Sequence, residues 1–302
     1  MNVFDRWAMC VTRRRLAPHA SELGVRAIYL WLLCYASSLA TEGRLFWGTQ
    51  APPHPRVFDS HFVADWVIRL SLHPRLVSNA WVWPLMLAGV ALVGLFVRPR
   101  IWLTLLASFL LAQLDALVWF AVDGGNRMIA IQLLFCAAMS LRGDSIAHVT
   151  IANVGLSLAR AQLLIAYLGA GVAKAVGEPW QRGDALSRVL LHPAWSDGFI
   201  AQWLLRHATV SSWLTYLTVV WELAFVVLVL FRKTRPLALG LGVLFHVAIA
   251  QVMGLFFFSF AMVACYAFWL DESVVIRAGR SARAMRSRMW FQVKGRGELD
   301  RS

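Results

Sequence analysis

Lys174 closes the apolar stretch Ala161-Gln-Leu-Leu-Ile-Ala-Tyr-Leu-Gly-Ala-Gly-Val-Ala-Lys174, in which no other charge follows Arg160. An ammonium in that position either snorkels to water along its own methylenes or is held in apolar surroundings to act on a proton or an anion. Ser157, Arg160, Leu164, Tyr167, Gly171 and Lys174 follow one another at steps of three and four, which places them on one face of a helix. Tyr167 lies two turns below Lys174, and Gly169-Ala-Gly171 lets a neighbouring helix or a ligand come close to the backbone. On this pattern alone Lys174 reads as a base, as the cation that holds an anion, or as a snorkelling lysine beside the interfacial ring of Trp180.

Three further ionisable residues stand inside apolar runs, where they are rare and expensive. Ser211, Thr215, Thr218 and Glu222 step by four, three and four, a polar stripe that runs inward to Glu222. Its structural reading has the hydroxyls bonding their own backbone and Glu222 held by a packing partner. His246 sits within Leu241-Gly-Val-Leu-Phe-His-Val-Ala-Ile-Ala250, where a lone histidine is more often hydrogen-bonded than catalytic. Asp115 shares a face with Thr104 and Ser108, and an acid paired with Lys174 would make the set structural. Asp115, Lys174, Glu222 and His246 are expected in the middle-to-outer part of one bundle. There is no Walker motif, nucleotide fingerprint or HExxH, which disfavours an ATP-driven transporter or a zinc protease. Cys10, Cys34, Cys136 and Cys265 form no metal-like pair, so no metal site is expected.

The elements that must position these residues follow from composition. The 302 residues are 59% hydrophobic and 15% charged, with mean hydropathy +0.62, too apolar for a soluble domain. The expectation is an all-α, polytopic integral membrane helix bundle of about eight transmembrane helices. The spans are placed at 24–41, 80–97, 101–121, 127–141, 152–175, 210–231, 236–252 and 255–270, and Gly254 marks a tight hairpin between the last two. Arg13-Arg14-Arg15, the apolar run from Val25 and Ser38-Leu39-Ala40 imitate a secretory signal, but the long preceding segment favours an uncleaved first span. Lys/Arg asymmetry puts both termini in the cytoplasm, with a basic segment 1–23, a membrane domain 24–270 and a basic tail 271–302. The net charge of +13 is thereby assigned to loops and tail rather than to nucleic-acid binding. Phe58, Phe62, Val63, Trp66 and Leu70, and later Leu186, Val189 and Leu190, recur at helical spacing before His73-Pro74 and His192-Pro193. They predict two short interfacial helices on the outer side. Arg277, Arg280, Arg283 and Arg286, followed by Met289-Trp290-Phe291, predict a basic helix on the anionic inner leaflet.

Tyr167-Leu-Gly-Ala-Gly-Val-Ala-Lys174 followed by Trp180-Gln-Arg-Gly183 resembles the signature of the HTTM domain, the membrane domain shared by vitamin K-dependent gamma-carboxylase and many bacterial proteins. Leu244-Phe-His246 through Gln251 and Phe258-Ser-Phe260 look like its later helix hairpin, and the resemblance runs from about Ala20 to Leu270. It implies that Lys174 is the base that deprotonates a hydroquinone of the vitamin K type. Oxygenation then makes a stronger base that removes a gamma proton from a glutamyl side chain, and carbon dioxide traps the carbanion. Two features depart from the carboxylase. Its Asn-His pair at the start of a span is matched here by Asn126-Arg127, and its large lumenal region has no counterpart. The chain is more similar to compact, sporulation-delaying protein B-like bacterial members that act in maturation of a secreted peptide toxin.

Two principal functions follow. The first is a carboxylase-like membrane enzyme acting on a quinol or another lipid-soluble substrate, with Lys174 as base. Glu222 and Tyr167 orient the substrate or relay protons, His246 lines the cavity, and Asp115, Asn126, Arg127 and Trp180 contribute to binding. The second is a non-enzymatic factor for maturation or export of a secreted peptide, with a small partner protein and a structural Lys174. A transporter is a third, lesser reading, against which the lack of an inverted repeat counts.

Overall fold

The computed structural model describes residues 12–41, 81–118, 121–192, 195 and 198–281. Among these every regular element is a helix. The segment around 57–72, Cys10, Pro193 and the tail from 282 onward lie outside the described residues. Eight helices occupy the eight expected positions: α1 (Pro18–Thr41), α2 (Val82–Phe96), α3 (Ile101–Leu117), α4 (Gly124–Met139), α5 (Ile146–Val176), α9 (Ala208–Leu230), α10 (Arg235–Met253) and α11 (Phe256–Tyr266). Among the described residues, three short helices lie between α5 and α9: α6 (Glu178–Gln181), α7 (Ala185–Leu190) and α8 (Phe199–Arg206). A short helix expected at 184–191 is found as α7. A 3-10 turn, Ala267–Trp269, extends α11, and α12 (Glu272–Ser281) leaves it at 102°.

Among the described residues four helices, α1, α5, α9 and α10, are each long and apolar enough to cross a bilayer, and the bent α11–α12 pair makes a fifth if it is one span. Helices α2 and α3 are apolar but shorter. The 31 residues of α5 reach about 46 Å at ~1.5 Å per residue, more than the hydrocarbon core needs. Helix ends follow ordinary capping chemistry. The Asp123 carboxylate accepts from Gly125 N at 2.7 Å and Asn126 N at 3.1 Å to start α4, and Ser145 caps α5. Pro236 stands in the first turn of α10, and Gly254 ends it with φ +67°, a left-handed conformation suited to glycine. This is the expected hairpin break before α11.

Packing places α11 against α1, α4, α5 and α10. Trp31, Tyr29, Phe225 and Phe268 are fully buried in the bundle. Two junctions need glycine: a Cβ on Gly24 would lie 2.3 Å from the Phe268 ring, and one on Gly94 would lie 2.6 Å from that of Tyr29. Side chains also bond across helices, as when Gln132 Nε2 donates to Ala159 O at 2.9 Å and Trp31 Nε1 donates to Phe257 O at 2.8 Å. The outward faces carry exposed Leu85, Phe96, Trp102, Ile165, Leu217 and Leu244, an apolar surface suited to lipid rather than water.

Candidate functional site

Lys174 sits in the last turn of α5 and meets Glu222, which lies well inside α9. Its Nζ donates to both carboxylate oxygens, at 2.8 and 2.9 Å. The lysine side chain is 23% exposed and that of Glu222 only 9%, so the acid is the more deeply enclosed partner. Nζ also lies 5.2 Å from the centre of the Trp180 ring. Gly171 makes this approach possible, because a Cβ there would stand 2.8 Å from Leu223 Cδ2 and 3.3 Å from Glu222 Cβ.

Two turns below Lys174 on the same face, Tyr167 stacks on Phe225 of α9, with ring centres 4.0 Å apart. Its hydroxyl bonds His246 Nε2 of α10 at 2.9 Å and also the Tyr266 hydroxyl of α11. Four helices, α5, α9, α10 and α11, thus meet at one buried hydrogen-bonded cluster below the ion pair. The His246 ring is packed by Phe245, Phe258 and Tyr266, and its Nδ1 is buried with no hydrogen-bond partner among the described residues. Gly242 admits Tyr266: a Cβ there would lie 2.5 Å from its hydroxyl.

Above the pair, α7 and α8 form a small apolar cap in which Leu190, Ala201 and Leu204 are buried against Leu214 and Val252. The polar stripe of α9 fastens it. Ser211 Oγ donates to Leu204 O at 2.7 Å, and Thr215 Oγ1 accepts from Leu186 N at 3.2 Å while donating to Ser211 O at 2.9 Å. Thr218 bonds only its own helix, at Leu214 O. Thr215 and Thr218 thus bond their own helix, as the structural reading expects, whereas Ser211 bonds α8 instead; Ser211 and Thr215 dock the cap.

The remaining expected residues separate from this site. Asp115 accepts from Asn126 Nδ2 at 3.0 Å, so the acid that pairs with Lys174 is Glu222 instead. Both Asp115 and Asn126 belong to the α3–α4 junction, beside the buried Tyr35. Arg127 is exposed. Asp123, in the connection before α4, has its carboxyl raised by burial against the opposing donation from the α4 amides. Arg160, on the same face of α5 as Lys174, turns instead to α11: its Nε donates to Phe268 O at 2.8 Å. Tyr266 is the participant that sequence reasoning missed. The available signal was a phenol in an apolar span, whose hydroxyl needs a partner once buried.

The family model of the HTTM domain matches residues 99–273, more than half of the chain. The matched region contains α3 to α11 and every residue of the site, whereas the resemblance read from the sequence reached back to about Ala20. With the apolar helices, this makes the protein an integral membrane protein. No curated protein and no solved structure matches the chain.

Proposed function

Because the chain belongs to the HTTM domain family, we propose that it is a carboxylase-like membrane enzyme that removes a proton from a quinol or a comparable lipid-soluble hydroxyl compound at its extracytoplasmic side. The observation that carries this reading is the enclosed Lys174–Glu222 pair directly above the Tyr167–His246–Tyr266 cluster. In apolar surroundings the pair acts as one proton-holding unit. Lys174 passes a proton to Glu222 along their hydrogen bond, and the neutral amine then takes the proton of the substrate hydroxyl. The substrate is left as an anion beside the Lys174 ammonium, with Glu222 holding the proton that Lys174 gave up. Trp180 and the cap of α7 and α8 limit water, and Tyr167 with His246 offers a hydrogen-bonded route for a second proton.

The test is oxygen consumption by the purified protein with reduced menaquinone, for wild type and Lys174→Arg. A guanidinium reaches both oxygens of Glu222 as a fork, which preserves the ion pair, but it does not give up its proton. Uptake by wild type that falls at least about a hundredfold in the variant supports a base at Lys174. Equal uptake in both removes Lys174 from that role. Absence of uptake in both turns attention to the second reading, a non-enzymatic factor for a secreted peptide. That reading is favoured by exposed Leu191, Phe199, Trp203 and Trp213 around the cap, which form an apolar surface suited to a peptide.

A further inference from the structure

A cavity of about 310 Å³ opens at the opposite end of the bundle, between the chain leading into α1, the α2–α3 turn, the loop after α4 and the first turns of α5. Its wall includes Arg15, Arg98 and Arg142, with Glu22, Asp144 and Asn153. Asn153 and Lys174 share α5 and are 21 residues apart, about 31 Å at ~1.5 Å per residue. The cavity is therefore remote from the ion pair.

Two of the three arginines, Arg15 and Arg142, are held in place. Asn153, itself buried, accepts from Leu16 N at 2.7 Å and donates to Arg14 O at 2.8 Å, which pins the segment carrying Arg15 to α5. Ala17 then turns the chain into α1 with φ +42°, a conformation uncommon for a residue with a side chain. One terminal nitrogen of Arg15 donates to Leu141 O, and one of Arg142 donates to Pro99 O at 3.3 Å. Each guanidinium is thus tied across a neighbouring loop by one nitrogen and keeps further N–H donors. Arg98 is exposed and bonds no protein group among the described residues. Of the two acids, Glu22 is engaged by Arg26 at 2.8 Å, leaving three cations against the exposed Asp144.

We propose that this cavity binds a phosphate-bearing anion, either the headgroup of an anionic phospholipid or a free phosphate. Three guanidinium groups line this one cavity, two of them held before a ligand arrives; such groups match the tetrahedral oxygens of a phosphate, and basic pockets between membrane helices suit anionic headgroups. Exposed Phe96 and Val97 next to Arg98 provide an apolar lip along which acyl chains can lie.

Binding is tested with the full chain in a non-ionic detergent, by native mass spectrometry and thermal unfolding. The probes are phosphatidylglycerol, phosphatidylcholine as its zwitterionic control, and inorganic phosphate. The variants are Arg98→Gln, Arg98→Gln/Arg142→Gln and, as a distant control on α12, Arg277→Gln. Saturable binding of phosphatidylglycerol over phosphatidylcholine, weakened about fivefold by Arg98→Gln, further by the double variant and not by Arg277→Gln, supports a lipid site. The same pattern with inorganic phosphate supports a site for free phosphate. Arg98 bonds no described protein group, so Arg98→Gln alone decides if loss of the Arg142–Pro99 bond unfolds the double variant. The proposal is overturned if neither probe saturates, if Arg98→Gln binds as tightly as wild type, or if Arg277→Gln weakens binding equally.

Discussion

Removing the two partners of the Lys174–Glu222 pair one at a time should have unequal consequences. Lys174→Met leaves a carboxylate whose side chain is 9% exposed and whose two oxygens lose their shared donor. Breaking a buried pair in this way costs about 3–5 kcal/mol when the remaining charge is fully enclosed. Partial enclosure reduces that to about 2–4 kcal/mol. Glu222→Gln leaves an ammonium that is 23% exposed and still faces the Trp180 ring at 5.2 Å. It keeps a route to water and a cation–π contact of about 0.5–1 kcal/mol, so the loss should be about 1–2 kcal/mol. The double variant Lys174→Met/Glu222→Gln removes both charges and should lie within about 1 kcal/mol of wild type. Equilibrium unfolding of the four proteins in one detergent, closed as a double-mutant cycle, measures the coupling directly. The reasoning fails if Lys174→Met destabilises no more than Glu222→Gln, or if the coupling is below about 0.5 kcal/mol.

Three further outcomes are expected. Gly169→Ala meets no atom within 4 Å and should stabilise α5 by up to about 1 kcal/mol. Gly171→Ala places its Cβ 2.8 Å from Leu223 Cδ2 and should reverse that gain by about 1–3 kcal/mol, read as the difference between the two unfolding midpoints. Ser211→Ala and Thr215→Val remove the bonds that dock α8 and α7. Each should cost about 1 kcal/mol and speed amide exchange in 185–206 while leaving α1 to α4 unchanged; uniform exchange across the chain would contradict a local role for the stripe. Glu272, outside the long spans, accepts from His19 N and Ala20 N, both at 3.0 Å, at the start of α1. Burial pushes its carboxyl up, but these donations and His19 together hold it below its ordinary value of 4.5. A lowered carboxylate stabilises the fold above its unfolded pKa, and this contribution is lost as pH falls through the lower folded value. Stability should therefore drop below about pH 4.5, and Glu272→Gln should flatten part of that drop, by under about 1 kcal/mol because the group is only partly buried. An unchanged acid limb would remove the capping role.

Apolar periodicity and run length were enough to place eight helices, because each must bury or expose a continuous apolar surface whatever its neighbours are. The Gly254 break and the short helix at Ala185–Leu190 were legible for the same local reasons. The face of α5 shared by Tyr167, Gly171 and Lys174 was also legible, since helical spacing is a property of one segment. Partnership was not. Nothing in the spacing distinguishes Asp115 from Glu222 as the acid for Lys174. The choice arises because Gly171 lets α9 approach α5 closely, whereas Asp115 is engaged by Asn126 across the α3–α4 junction. Tyr266 likewise gains its role only when α11 brings it against Tyr167. Arg160 shares a face with Lys174 yet turns to Phe268 O, because one helix face can be divided between two neighbours along its length. By itself, the sequence determined the solvent of the fold, the helices and the residues whose burial needs compensation. Only the tertiary structure decided which groups compensate one another, because that depends on contacts between segments far apart in the chain.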